Sequence, residues 1–195
     1  MTKILWVGGP HGVGKSSSIS ELSNEIQNLN YLYLGRFFYE TAEKIGFAWK
    51  DLEKETNLLA VENIVTLQLK ELFSKNNFIV DSHYAIHIGQ KVYPGYHREN
   101  LRNLFESNLI KKGLVRLVAN PETILKRRNN SKKRFKAYPT EEDLSIISSE
   151  ISASKEYFDY FVDSLMPNVS SIELNNSDLS LDETKNKLKE FYYGL

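Results

Sequence analysis

The chain has 195 residues, of which 41% are hydrophobic, 12% aromatic and 26% charged. That mix buries a core and excludes a disordered chain, and the length allows one domain or at most two small ones. Equal numbers of basic and acidic residues disfavour a coat for nucleic acid or anionic membrane, and the lack of cysteine excludes disulfides, thiolate metal sites and a Cys nucleophile.

The N-terminal run 4–8 (ILWVG) is apolar without alternation, as in a strand buried on both faces. It is too short for a signal peptide, and no stretch reaches the roughly 18 to 20 apolar residues of a membrane helix. A soluble cytoplasmic protein with no membrane partner is the expectation. Further strand-like runs follow at 31–34 (YLYL), 78–81 (FIVD), 114–119 (LVRLVA) and 169–174 (VSSIEL), the last more alternating and suited to an edge.

Helical spacing fills the gaps. Ile19, Leu22 and Ile26 mark a first helix, residues 37–45 a short second, and Val61, Ile64, Val65, Leu69, Leu72 and Phe73 one face of a long third. Leu101, Leu104, Phe105 and Leu109 suggest a fourth. Pro121 opens a fifth, where its missing N–H costs nothing. Thr140 with Asp143 resembles a capping box ahead of a long helix to about residue 165, and residues 181–191 form the last. Strands alternating with helices predict a three-layer α/β domain. The stretch 126–136 (KRRNNSKKRFK) reads as a basic loop.

The chemistry lies just after the first strand. Gly9-Pro10-His11-Gly12-Val13-Gly14-Lys15-Ser16 fits G-x-x-x-x-G-K-[ST], the phosphate-binding P-loop. Its glycines let successive N–H groups converge on an anion at a helix N-terminus. Lys15 reaches the outer phosphates and the Ser16 hydroxyl holds Mg²⁺. No N-K-x-D base-reading motif is present, and Asp81 is followed by Ser82 instead of the Glu that polarises water in hydrolytic ATPases. A kinase using Mg–ATP is therefore favoured, with cations needed around the transferred group. The basic stretch can supply them as a closing lid; it also reads as a solvated loop, and less well as an RNA patch. Asp81, at a strand's carboxyl end, is a candidate Mg²⁺ ligand or a structural loop cap. His83 and His87 lack a third partner for a metal site, His11 sits within the P-loop, and Trp6 reads as core.

Taken in order, these segments resemble archaeal-type adenylate kinases, of the P-loop nucleoside monophosphate kinases. Residues 9–17 resemble that family's phosphate loop, and residues 35–42 (GRFFYETA) its acceptor helix. Val80-Asp81-Ser82-His83 with Pro94-Gly95 resembles its V-D-T-H segment, and the run from Arg127-Arg128 to Ala137 its lid. Lys136 stands where the family has Arg, Ser131 and Ala137 replace acidic residues, and Arg36 stands where Thr is frequent.

The resemblance implies one P-loop NTPase domain over 1–195, with a five-stranded parallel sheet in order 2-3-1-4-5 and helices on both faces. It places acceptor helices around 36–75 and a lid around 126–139. It implies transfer from Mg–ATP to AMP. Residues Gly9, Pro10, His11, Gly12, Val13, Gly14, Lys15, Ser16 and Ser17 would bind donor phosphates, Ser16 and Asp81 would hold Mg²⁺, and Lys15, Asp81, Arg128 and Arg134 would carry catalysis. Gly35, Arg36, Phe37 and His83 would meet the acceptor. Nucleotides are the implied partners, self-association is left open, and nucleic acid is disfavoured. The altered lid keeps open a kinase for another nucleotide or small alcohol, and a non-catalytic ATP-binding module.

Overall fold

The computed structural model describes residues 1–88, 91–130, 144–165 and 169–195. Strand β1 (Thr2–Gly8) leads into helix α1 (Lys15–Glu25), followed by β2 (Leu29–Tyr33), α2 (Leu34–Lys44) and a 3-10 turn (Trp49–Glu53). The long α3 (Glu55–Lys75) and β3 (Asn77–Asp81) come next, then a hairpin of β4 (Ala85–Ile88) and β5 (Lys91–Pro94). Helix α4 (Arg98–Phe105), β6 (Ile110–Val118), α5 (Pro121–Asn130), α6 (Leu144–Leu165), β7 (Ser170–Asn175) and α7 (Leu181–Gly194) complete the chain.

Five parallel strands lie in the order β2-β3-β1-β6-β7. With the separate antiparallel hairpin set aside, this is the expected 2-3-1-4-5 arrangement. The strand period of two divides the core between the two faces. Ile4 and Trp6 of β1 join α3, α4 and the C-terminal half of α6 in one cluster, whereas Leu5 and Val7 join α1, α5 and α7 in the other. Trp6 is fully buried, edge-on to Tyr96 at 5.6 Å and to Phe105 at 5.8 Å. Among the described residues no helix is long and apolar enough to cross a membrane.

Several boundaries differ from the sequence expectation. Strand β2 starts and ends earlier, because Leu34 already belongs to α2 and turns into the core. Leu109 is not on the face of α4; it lies 72% exposed in the turn before β6. Lys126 to Asn130, expected in a loop, continue α5, so Arg127 and Arg128 are helical residues. The rest of the basic stretch, with Arg134 and Lys136, lies outside the described residues, as does the Thr140–Asp143 capping box.

The hairpin is tied to the sheet by the residues that flank it, Tyr84 and Gly95. Tyr84 is fully buried, and its hydroxyl donates to the carbonyls of Val115 at 3.0 Å and Trp6 at 3.3 Å. Gly95 N–H donates to Tyr84 O at 2.6 Å, which brings the end of β5 onto the chain leaving β3. A Cβ on Gly95 would lie 1.7 Å from the His83 carbonyl oxygen, a contact with backbone that no side-chain rotation relieves. Gly95→Ala is therefore expected to destabilise the protein by at least about 2 kcal/mol. A urea midpoint matching the parent's would show that the hairpin moves freely away from His83.

Candidate active site

The loop after β1 is curled by glycines at positive φ. Gly9 has φ +148°, and a Cβ there would lie 2.3 Å from Leu117 O; Gly14 has φ +100° and caps α1. Such a curl turns the loop carbonyls away from its concave side, and each of them needs a donor. Lys15 Nζ donates to Gly9 O at 2.7 Å and Pro10 O at 3.0 Å. Arg128 donates to His11 O through Nε at 3.1 Å and Nη2 at 3.0 Å. Asn176, just past β7, donates Nδ2 to Val13 O at 2.6 Å, and Arg127 donates to the same oxygen at 3.1 Å. Thr184 of α7 fixes the Asn176 amide through Oδ1 at 2.8 Å.

Lys15 is 5% exposed, and burial lowers its pKa to about 8 despite the opposing pull of the Asp81 carboxylate. An anion in the loop would restore the charged form. Asp81 closes the floor of the site at the end of β3, 1% exposed. Its Oδ2 accepts from Ser16 Oγ at 2.5 Å and from Tyr31 Oη, on edge strand β2, at 3.2 Å. Burial and the Asp81 carboxylate push the Tyr31 pKa up, which keeps the phenol a donor. Asp81 Oδ1 is buried with no hydrogen-bond partner. An orphaned carboxylate oxygen beside a hydroxyl fits a hard cation such as Mg²⁺, which takes one or two protein oxygens and leaves the rest to phosphate and water. No larger cluster of His, Asp or Glu that could hold a metal occurs among the described residues.

His83 Nδ1 lies 3.0 Å from Gly9 O. A carbonyl only accepts, so Nδ1 carries the proton and Nε2 keeps a lone pair. Burial, with Lys15 and His11 nearby, holds the His83 pKa well below the usual histidine range, so the ring is neutral. The His11 and His83 rings lie 4.2 Å apart.

Two cavities meet here. The first, about 750 Å³, is lined by the phosphate loop, Tyr31, Asp81, Arg127, Arg128 and Asn176. The second, about 530 Å³, is walled largely by apolar and aromatic side chains, including Leu34, Phe38, Tyr39, Leu52 and Leu58, together with Arg36, Glu62 and Glu150. His11, Tyr33 and His83 line both. Arg128 and Glu150, each less than 10% exposed, pair at 2.5 Å, one lining each cavity.

The structure thus brings Lys15, Ser16, Asp81, His83, His11 and Arg128 together, with Gly35 and Arg36 on the second cavity. Phe37 does not line it; it packs against the core, and its neighbours Phe38 and Tyr39 face the space. Sequence reasoning missed Tyr31, Tyr33, Glu62, Glu150 and Asn176, which belong to no local motif. For Tyr31, Tyr33 and Asn176 the available signal was position at the carboxyl end of a parallel strand.

No curated protein gives a significant match to the chain. Among solved structures it is similar to shikimate kinase from Bacteroides thetaiotaomicron, with TM-score 0.63, 13% identity and 97% of each chain covered. A sugar kinase from Janibacter sp. HTCC2649 gives TM-score 0.61 at 14% identity, covering 98% of this chain and 94% of that one. Thymidylate kinase from Candida albicans gives TM-score 0.54 at 16% identity, covering 99% and 92%. At these identities the likeness is one of fold, the P-loop kinase fold. The AAA domain family matches residues 8–145, from the end of β1 through the phosphate loop and most of the described lining of both cavities to the start of α6; the protein belongs to that family.

Proposed function

We propose that the protein is a phosphotransferase that moves the terminal phosphoryl group of Mg–ATP to a nucleoside monophosphate, AMP first among them. The observation that carries this reading is the shared wall of His11, Tyr33 and His83, where a basic phosphate loop opens directly onto an aromatic cavity. Transfer needs the two substrates in line across such a junction. Three features support a nucleotide as acceptor. Tyr33, Phe38 and Tyr39 offer faces for a base. The N-terminus of α2 has no side-chain cap and lies at the cavity with Arg36, an arrangement suited to a phosphate. The ordered resemblance to adenylate kinases adds the third.

The residues then take distinct parts. The loop amides and Lys15 bind and orient the donor phosphates, with Lys15 released from the Gly9 and Pro10 carbonyls to do so. Ser16 and Asp81 would hold Mg²⁺, which when bound neutralises charge between phosphate oxygens. Tyr31 steadies Asp81. Neutral His83 stays bound to the Gly9 carbonyl and adds no charge of its own beside the phosphates. With Ser82 after Asp81, no carboxylate follows to activate water. Arg128 would steady the transferred group, and Arg134, by the resemblance, would close over it.

A second reading, a kinase for a small alcohol, has one observation in its favour. Arg36 is the one Lys or Arg among the described lining of the aromatic cavity, and its Nε is bound to Glu40 at 2.7 Å. A screen of ADP release with AMP, CMP, UMP, GMP and a set of polyols separates the two. Turnover with a monophosphate is expected; turnover with polyols alone would replace the first reading by the second.

Lys15→Ala should lower kcat by about a hundredfold to a thousandfold with an unchanged circular dichroism spectrum. Parent-like turnover would remove Lys15 from the mechanism. Because its pKa in the free protein is about 8 and bound phosphates raise it, ATP affinity should be level below about pH 8. Above that pH it should fall towards tenfold per unit. Calorimetry at about pH 8.5 in buffers of different ionisation enthalpy should record proton uptake on binding, lost in Lys15→Met. Uptake of the same size in that variant would assign the proton to another group.

A further inference from the structure

The second cavity contains a carboxylate that the phosphoryl-transfer reading does not use. Glu62, on α3, is 3% exposed and lines the same space as Tyr33, Phe38 and Tyr39. A carboxylate amid apolar walls is costly unless donors surround it. Three do. His97 N–H donates to Oε1 at 2.8 Å, Asn100 Nδ2 donates to the same oxygen at 3.0 Å, and His97 Nδ1 donates to Oε2 at 2.7 Å. His97 is the N-cap of α4, so the carboxylate also sits at that helix's positive end. Its bond to Glu62 raises the His97 pKa and favours a charge to balance the carboxylate.

The donors are unevenly shared. A carboxylate oxygen accepts about two hydrogen bonds. Oε1 has both, whereas Oε2 has one described donor. Capping α4 accounts for Oε1 and leaves one acceptor position on Oε2, held rigid from two sides beside aromatic rings. A ring that stacks there and carries an N–H at its edge would complete the set. A carbonyl edge would be repelled by the carboxylate.

We propose that Glu62 determines acceptor specificity by accepting a hydrogen bond from the exocyclic amino group of the acceptor base, with His97 and Asn100 as positioning residues. This rests on the nucleoside monophosphate reading and deepens it: the preferred acceptors carry an amino-bearing base, such as adenine, and not a keto or unsubstituted one.

The test compares AMP with purine riboside 5′-monophosphate, which lacks only the amino group, in kcat/KM and in calorimetric affinity without ATP. The parent should favour AMP by about tenfold or more in both measurements, as for loss of a hydrogen bond to a buried charge. Glu62→Gln should bring that ratio below about threefold. If Glu62→Gln does not fold, Glu62→Asp, which withdraws the carboxylate by one methylene, is read the same way. A parent ratio near one overturns the role of Glu62 and leaves the kinase reading standing, and so does a ratio that persists in the variant. Turnover with no nucleoside monophosphate at all overturns both.

Discussion

The outward-facing carbonyls of the phosphate loop are the constraint on which the rest of the site depends. A backbone curled to aim its amides at one point leaves its oxygens pointing elsewhere, and buried oxygens need donors. This chain draws those donors from distant parts of the sequence. Gly9 O takes Lys15 and the His83 imidazole, His11 O takes Arg128, and Val13 O takes Asn176 and Arg127. The third strand, α5 and the end of β7 are therefore all needed to hold nine residues open. The sheet order explains how they reach it, since β1 lies between β3 and β6, with β7 beside β6.

The charges around the loop are arranged in pairs that burial makes interdependent. Lys15 loses solvation and gains the nearby Asp81 carboxylate. Arg128 faces Glu150, and Glu62 faces His97. Each pair places a carboxylate at or near a cavity wall without leaving an isolated charge in an apolar setting. The arrangement gives the two cavities different characters although they share three residues. One is lined by the phosphate loop with Lys15, Arg127 and Arg128, the other largely by apolar and aromatic side chains.

Much of the frame was legible because it obeys short-range rules. The phosphate loop is a contiguous motif, and the alternation of Ile4, Leu5, Trp6 and Val7 between two cores follows directly from strand geometry. The hairpin was not legible: β4 and β5 are four residues each, and they are defined by the buried Tyr84 and the contact of Gly95 with His83. Helix α2 begins at Leu34, three residues before the expected start at Phe37, because Leu34 already packs into the core. Phe37 was implied by the likeness to an acceptor helix, and a likeness of segments does not say which ring of the helix lines a cavity. Glu62, Glu150 and Asn176 gave no local sign, because their meaning comes from partners 22 to 163 residues away. Arg134 belongs to the basic stretch outside the described residues.

Half of the described residues that line the aromatic cavity come from one continuous stretch, residues 33–62. The phosphate loop and its supporting donors lie outside that stretch. On the proposed reading, half of the described wall that meets the second substrate is a cassette inserted between two strands of a chassis that handles the polyphosphate. Directed recombination of that one segment would then alter a large share of the acceptor wall while leaving the donors that hold the cradle in place.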